Sequence, residues 1–207
     1  MEKVASFAGF DTLFNVDTFY DAIGRLGDRY DVKVNLVRDT YLKFEKELMQ
    51  EPKFMKYSKL MEEALNKTAK ELDMPITPGD FSDVLIAHTV IEPYPDAPTA
   101  VYQIKEKGYK TVLLTNHSRD LIKANLVKLG FDMDMVITSD DMEAYKPSDK
   151  FFDFAAEKIG KADKHVHIAV DEQKDIIPAQ SQGWETLKVD RVDGAKIESL
   201  MDTVDKL

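Results

Sequence analysis

The chain has 207 residues, 43% of them hydrophobic, a formal net charge of -10 and no cysteine. That length supports one well-packed core with a smaller appended unit. The acidic balance argues against nucleic acid or an anionic membrane as partner, and the missing thiols exclude disulfides, thiolate metal sites and cysteine nucleophiles.

The segment from Lys3 to Phe10 is a short, nearly unbroken apolar run, as expected of a buried parallel strand. From Asp17 to about Ile91 the spacing becomes helical, as in Val37, Tyr41, Phe44 and Leu48 and again in Leu60, Leu65, Ala69 and Leu72. Pro52, Pro75 and Pro78 divide this stretch into several helices, and no strand is expected within it. Glu92-Pro93-Tyr94-Pro95-Asp96 reads as a rigid turn.

Beyond the turn, strands and helices alternate: Thr111–Leu114 then Leu121–Leu129, Met135–Thr138 then Phe151–Ile159, His165–Val170 then Ile176–Gln182, and Thr186–Val189 then Ile197–Leu207. Gly108, Gly130, Gly160 and Gly183 fall at helix ends, where a left-handed cap favours glycine. Alternation of this kind implies an α/β fold, a Rossmann-like three-layer parallel sheet with helices on both faces. The first strand and the second half of the chain form the core, residues 1–15 and 92–207, and residues 16–91 form an inserted α-helical cap over the carboxyl edge of the sheet. No apolar run has the length of a membrane span or a signal peptide, and a cytoplasmic protein is the expectation.

Ligands in such sheets bind at the carboxyl ends of the strands. The first strand is followed by Phe7-Ala8-Gly9-Phe10-Asp11-Thr12-Leu13-Phe14 and the second by Thr115-Asn116-His117-Ser118. Tyr145-Lys146-Pro147 follows the third, after a short loop, and Asp171-Glu172-Gln173-Lys174-Asp175 the fourth. Hydroxyl and amide, then lysine, then paired carboxylates can hold an anion and a divalent cation. Each group also has a plainer explanation. Thr12, Thr115, Asn116 and Asp171 suit helix caps, Asp175 suits the first turn of a helix, and Arg38 suits a solvated helix face. His165 and His167 alternate along a strand and share a face, while His117 and Trp184 carry no evident chemistry.

The order of these segments resembles the haloacid dehalogenase superfamily, most closely the 2-haloacid dehalogenase-like branch with an α-helical cap. That family's first motif reads Phe-Asp-x-Tyr-Gly-Thr-Leu-Phe. Thr115-Asn116 resembles its second motif, Lys146-Pro147 its third, and Asp171 with Asp175 the paired acids of its fourth. Leu36-Val37-Arg38, with Leu42 and Phe44, is similar to the cap stretch whose arginine faces the halide or carboxylate, and Tyr94-Pro95-Asp96-Ala97 to the exit from the cap. The resemblance implies catalytic roles for Lys146, Asp171 and Asp175, substrate contacts from Thr12, Thr115, Asn116 and Arg38, and Mg²⁺ on Asp171 and Asp175.

The departures bear on function. Aligned without a gap, Ala8 stands where the family has its nucleophilic aspartate, and a methyl group can neither attack nor ligate Mg²⁺. Asp11 replaces the motif's glycine, Val170 precedes Asp171 where Gly or Ser is common, Glu172 stands where dehalogenases have Asn, and Phe152 where they have Tyr. A gapped alignment instead makes Phe10-Asp11 the family's Phe-Asp and Asp11 the nucleophile. The expectation is therefore a family member that has lost aspartyl hydrolysis and binds a small molecule or a protein partner in the cleft between core and cap, with Mg²⁺ weak or absent. The alternatives are an active phosphatase or dehalogenase using a displaced carboxylate such as Asp11, and an interaction protein with a vestigial cleft. A final expectation is electrostatic: Asp11, Asp171, Glu172 and Asp175 against Lys146 would leave the cleft electronegative and favour a cation over free phosphate.

Overall fold

A computed structural model describes residues 2–191 and 199–207. Five parallel strands form one sheet: β1 (Lys3–Ala8), β2 (Tyr109–Thr115), β3 (Met135–Thr138), β4 (Lys164–Ala169) and β5 (Glu185–Lys188). Their order is β3-β2-β1-β4-β5, so β1 is central, with Ala5 beside Thr111 on one side and Val166 on the other.

Alternation along the strands sets the three layers. Ala5, Phe7, Leu113, Val166 and Ile168 face one core, which includes Ala100, Val101 and Ile104 of α6 (Ala97–Glu106) and Leu200 and Val204 of α11 (Leu200–Lys206). Val4, Val112 and Leu114 face the other, where Phe151, Phe152, Ala155 and Ile159 of α9 (Asp149–Ile159) and Ala179 of α10 (Ile177–Ser181) pack. Apart from Ser6, both faces of β1 are thus apolar, which is why its sequence reads as a nearly unbroken hydrophobic run. The remaining second-half helices are α7 (Arg119–Leu126), continued by a 3₁₀ turn, and the short α8 (Ser139–Met142). Positions 197 and 198 of the expected last helix lie outside the described residues.

Between β1 and α6 the described chain is helical without a strand: α1 (Asp17–Arg25), α2 (Gly27–Tyr30), α3 (Val34–Met49), α4 (Tyr57–Glu71) and α5 (Pro78–Thr89). α3 packs on α1 and α4, and α5 packs on α1 and α7. The outgoing and returning strands of chain run side by side, with Asn15 N–H donating to Glu92 O at 2.9 Å and Tyr94 N–H to Leu13 O at 2.8 Å. Arg191 reinforces this junction, donating to Asp96 at 2.8 Å and to Thr12 O at 2.8 Å. No helix among the described residues is long and apolar enough to cross a membrane.

Candidate functional site

The carboxyl edge of the sheet is built around Ala8, the last residue of β1. Its side chain is 2% exposed and packs with Ala169 and Ile176 in a small apolar cluster. Gly9 follows, and a Cβ there would lie 3.2 Å from Thr115 Oγ1. Glycine thus lets the first loop press against the end of β2. The loop then turns through Asp11, whose φ of 64° is left-handed, and closes with Leu13 N–H donating to Gly9 O at 2.8 Å. Aspartate is among the non-glycine residues that enter that region most readily.

Asn116 holds the third segment against the second. Its Oδ1 accepts from Lys146 N–H at 2.7 Å and its Nδ2 donates to Lys146 O at 3.2 Å. Two reciprocal bonds fix the backbone of Lys146, which precedes Pro147 through a cis peptide. The Lys146 ammonium then reaches Leu114 O at 3.1 Å and Asp175 Oδ1 at 2.5 Å. Both side chains of this pair are 5% exposed. Burial pushes the Asp175 carboxyl up, but the Lys146 charge and the His167 hydrogen bond outweigh it and hold the group at about 2.

Asp171 caps a π-helical turn, Glu172–Ile176, that contains Asp175 and in which Ile176 N–H donates to Asp171 O. Asp171 caps this turn through Lys174 N–H at 2.7 Å and pairs with Lys174 Nζ at 3.3 Å. Burial opposes charge on Lys174, but Asp171, Asp11 and Asp175 outweigh it and raise its pKa. Thr12 accepts from Val170 N–H at 3.1 Å and Thr115 from His117 N–H at 3.2 Å. These hydroxyls brace loops.

Two adjoining cavities open over this edge. The inner, about 320 Å³, is lined by Gly9, Phe10 and Asp11 from the first loop, Thr115, Asn116 and His117 from the second, Lys146, and Asp171, Lys174 and Asp175. Its remaining wall comes from the helical segment: Tyr20, Leu42, Glu45, Lys46 and Met49. The outer, about 890 Å³, lies between the α3–α4 connection and the loop around Lys146, and Tyr145 Oη bridges those walls by donating to Met55 O at 2.6 Å.

Glu45 is buried in the inner wall, accepting from Tyr57 Oη at 2.6 Å and Tyr20 Oη at 2.9 Å. Desolvation raises its pKa, with the tyrosine hydrogen bonds opposing. Asp11 is exposed to solvent and lines the inner cavity. There desolvation raises its pKa; Lys174 opposes, and Asp17, Asp171 and Asp175 add to the rise. His117 stacks on Phe10 with ring centres 3.7 Å apart and bonds His88 at 2.7 Å; burial pushes its pKa well down, so it is neutral.

Beneath the edge, on the α9 face of the sheet, Ser6 Oγ lies 2.9 Å from His165 Nε2 and 2.8 Å from His167 Nδ1, and His167 Nε2 is 3.4 Å from Asp175 Oδ1. The two histidines do share a face, and His165 stacks on Trp184 at 3.9 Å between ring centres.

The structure therefore brings together Asp11, Thr115, Asn116, Lys146, Asp171 and Asp175, with Thr12 just behind them. It does not bring Arg38, whose guanidinium is held by Asp21 at 2.7 Å and Asp17 at 3.0 Å and which lines neither cavity. It does not bring Glu172 either, which pairs with Lys188 at 2.8 Å. The expected electronegative cleft is corrected accordingly. Glu172 drops out, Lys46 and Lys174 enter, and the inner cavity is lined by four acids and three lysines. Lys46, Lys174, Glu45 and Tyr20 were not singled out from the sequence; the nearest signal was Lys174 standing between two motif acids.

The residues present do not fit the Mg²⁺ that the resemblance implies. Asp175 is turned to Lys146, Asp171 to Lys174, and Ala8 supplies no oxygen. Among the described residues no group of three acids or histidines is arranged to hold an ion.

A central β1 with its following loop, a helical insertion and a lysine–aspartate pair at the strand ends define an α/β protein of the doubly wound class. A family model described as haloacid dehalogenase-like hydrolase matches residues 20–189, and the chain belongs to that family. An (S)-2-haloacid dehalogenase 4A of Burkholderia cepacia is 25% identical over 134 residues, 64% of this chain and 58% of that protein. A glyceraldehyde 3-phosphate phosphatase of Methanothermobacter thermautotrophicus is 25% identical over 186 residues, 84% of this chain and 81% of the relative. Among the dehalogenase relatives the matched part spans about half to two thirds of the protein, 58% and 66% in two of them. A solved dehalogenase with an intermediate complex aligns with TM-score 0.83 at 20% identity, covering 100% of this chain and 97% of that one. The L-2-haloacid dehalogenase of Xanthobacter autotrophicus aligns with TM-score 0.78, also at 20% identity, covering 94% of this chain and 80% of the other. At that identity the likeness establishes the fold.

Proposed function

We propose that this family member has given up hydrolysis through an aspartyl nucleophile and uses the cleft between the sheet edge and the inserted helices to hold a ligand. In this reading residues 16–91 are a cap on a core formed by 1–15 and 92–207. The observation that carries it is Ala8. The carboxyl end of the central strand, where the family's aspartate stands in the ungapped alignment, is a methyl packed against Ala169 and Ile176. A methyl forms no acyl or phosphoryl ester, so the two-step covalent route has no first step.

The other carboxylates at this edge are poor substitutes. Asp175 is committed to Lys146 and Asp171 to Lys174. Asp11 lies on the left-handed turn beyond the strand, and among the described residues no side chain hydrogen-bonds or ion-pairs with it to aim it. Lys146 and Asn116 then brace the cavity wall, and Lys146 neutralises Asp175. The acidic net charge supports a small molecule or protein as partner rather than nucleic acid or anionic membrane.

The test is turnover by the purified chain of p-nitrophenyl phosphate, with and without Mg²⁺, and of 2-chloropropionate. Neither is turned over. A rate above about one per second, within the usual enzyme range, or a phosphorylated or alkylated Asp11 found by mass spectrometry, would overturn the reading in favour of a displaced-carboxylate hydrolase.

A further inference from the structure

The inner cavity holds more charge than its ion pairs consume. Lys146 is matched by Asp175 and Lys174 by Asp171. Asp11, Glu45 and Lys46 remain. Among the described residues neither Asp11 nor Lys46 has an ion-pair or side-chain hydrogen-bond partner.

Glu45 is the more telling of the three. Only 5% of it is exposed, and a carboxylate that deep is ordinarily paired with a cation. Its hydrogen bonds are instead from the hydroxyls of Tyr20 and Tyr57, with the Tyr41 hydroxyl also beside it, and the Lys174 charge acts on it only through space, without an ion pair. Those bonds orient the carboxyl, and a carboxylate with two oxygens can accept more bonds than these hydroxyls supply. The tyrosines come from α1 and α4 and the glutamate from α3, so three helices converge to hold one acid in a cavity wall. Phe10 and Tyr20 line the same space, and aromatic faces favour a cation. Lys46, on the next position of α3, lines both cavities and offers a positive charge at their junction.

We propose that the inner cavity binds a small zwitterion, whose ammonium group is taken by Glu45 and Asp11 and whose anionic group is taken by Lys46. The proposal rests on reading the cleft as a ligand site and names the class of ligand. A volume of about 320 Å³ lies at the small end of the ~300–1,000 Å³ typical of ligand pockets. It suits an amino acid of a few carbons, and a longer chain would extend past Lys46 into the outer cavity.

The test is calorimetric titration of the full chain at neutral pH with β-alanine and γ-aminobutyrate, and with butylamine and butyrate as single-charge controls. At least one amino acid binds about tenfold or more tighter than either control, the usual scale for one added charged hydrogen bond. Asp11→Asn keeps a residue that tolerates the left-handed turn. It weakens the amino acid and butylamine severalfold while leaving butyrate unchanged. Lys46→Met weakens the amino acid and butyrate and leaves butylamine unchanged. Glu45→Gln, with folding checked by circular dichroism, behaves as Asp11→Asn does. Failure of both amino acids to bind, butyrate binding as tightly as they do, or Asp11→Asn and Lys46→Met having no effect would each overturn the proposal. Turnover of p-nitrophenyl phosphate in a parallel assay is a separate result that overturns the non-hydrolytic reading, while the order of affinities decides the ligand class.

Discussion

Replacing Lys146 by methionine isolates the buried ion pair at the centre of the site. The lysine contributes two contacts that methionine cannot make, to Asp175 Oδ1 at 2.5 Å and to Leu114 O at 3.1 Å. Asp175 would remain 5% exposed with His167 as its nearest polar partner, and burial keeps that histidine neutral. Removing one partner of a buried pair strands the other charge and costs about 3–5 kcal/mol. For a chain of this size that lowers Tm by roughly 6–20 °C, at about 2–4 °C per kcal/mol.

The pH dependence has a definite sign. In the wild type the Asp175 carboxyl is held at about 2, below its unfolded value. The stability it contributes is therefore present above the ordinary aspartate range and is lost as pH falls through about 2. In the variant, burial is no longer opposed by Lys146 and the carboxyl titrates higher. The deficit is then largest at neutral pH and narrows on acidification, as protonation relieves the stranded charge. Urea denaturation from neutral to mildly acidic pH, followed by circular dichroism and by the fluorescence of the single tryptophan, Trp184, measures both effects. The double variant Lys146→Met/Asp175→Leu recovers much of the loss. A cost below about 1 kcal/mol, the range of exposed pairs, or a deficit that grows on acidification would refute the reasoning.

Other perturbations test the surroundings. Tyr57→Phe removes the 2.6 Å bond to Glu45, costs about 1.5–3 kcal/mol in urea denaturation and raises the Glu45 pKa further, as read by carboxyl-carbon NMR. Arg38→Ala changes stability by less than about 1 kcal/mol, because its partners are exposed, and leaves amino-acid binding unaltered; a loss of binding would return the arginine to the site. His88 is held neutral by burial, with its pKa lowered from 6.5 to about 4. Its contribution is complete above pH 6.5 and is lost as pH falls towards about 4, roughly 3 kcal/mol in all. His88→Gln therefore flattens the acid limb of the stability profile.

The sequence by itself determined the sheet and its order of motifs. β1 is readable because both its faces are buried, leaving an apolar run broken only by Ser6 between Val4 and Ala8. Met135–Thr138 is observed as expected, the strands flanking β1 differ by a residue or two at their ends, and the expected Ile176–Gln182 helix begins as a π turn. Gly108, Gly130, Gly160 and Gly183 all adopt positive φ, a local backbone requirement that a sequence displays directly. That β1 ends on Ala8 is likewise plain in the sequence, since the identity of a side chain needs no structure to be read.

Only the tertiary structure decided how the charges are shared. Arg38 and Lys46 both stand on α3 as charged residues of an amphipathic helix, and nothing local says that one is held by α1 while the other faces the cleft. Glu45 reads as a solvated position until Tyr20 and Tyr57 arrive from two other helices to bury it. Within Asp171–Asp175, the π turn sends Asp175 inward to Lys146 and leaves Glu172 to Lys188 on the strand beside it. Periodicity records which faces of an element are apolar. The partner of a charged side chain is fixed by packing between elements distant in sequence, and that packing is where the composition of this cleft was settled.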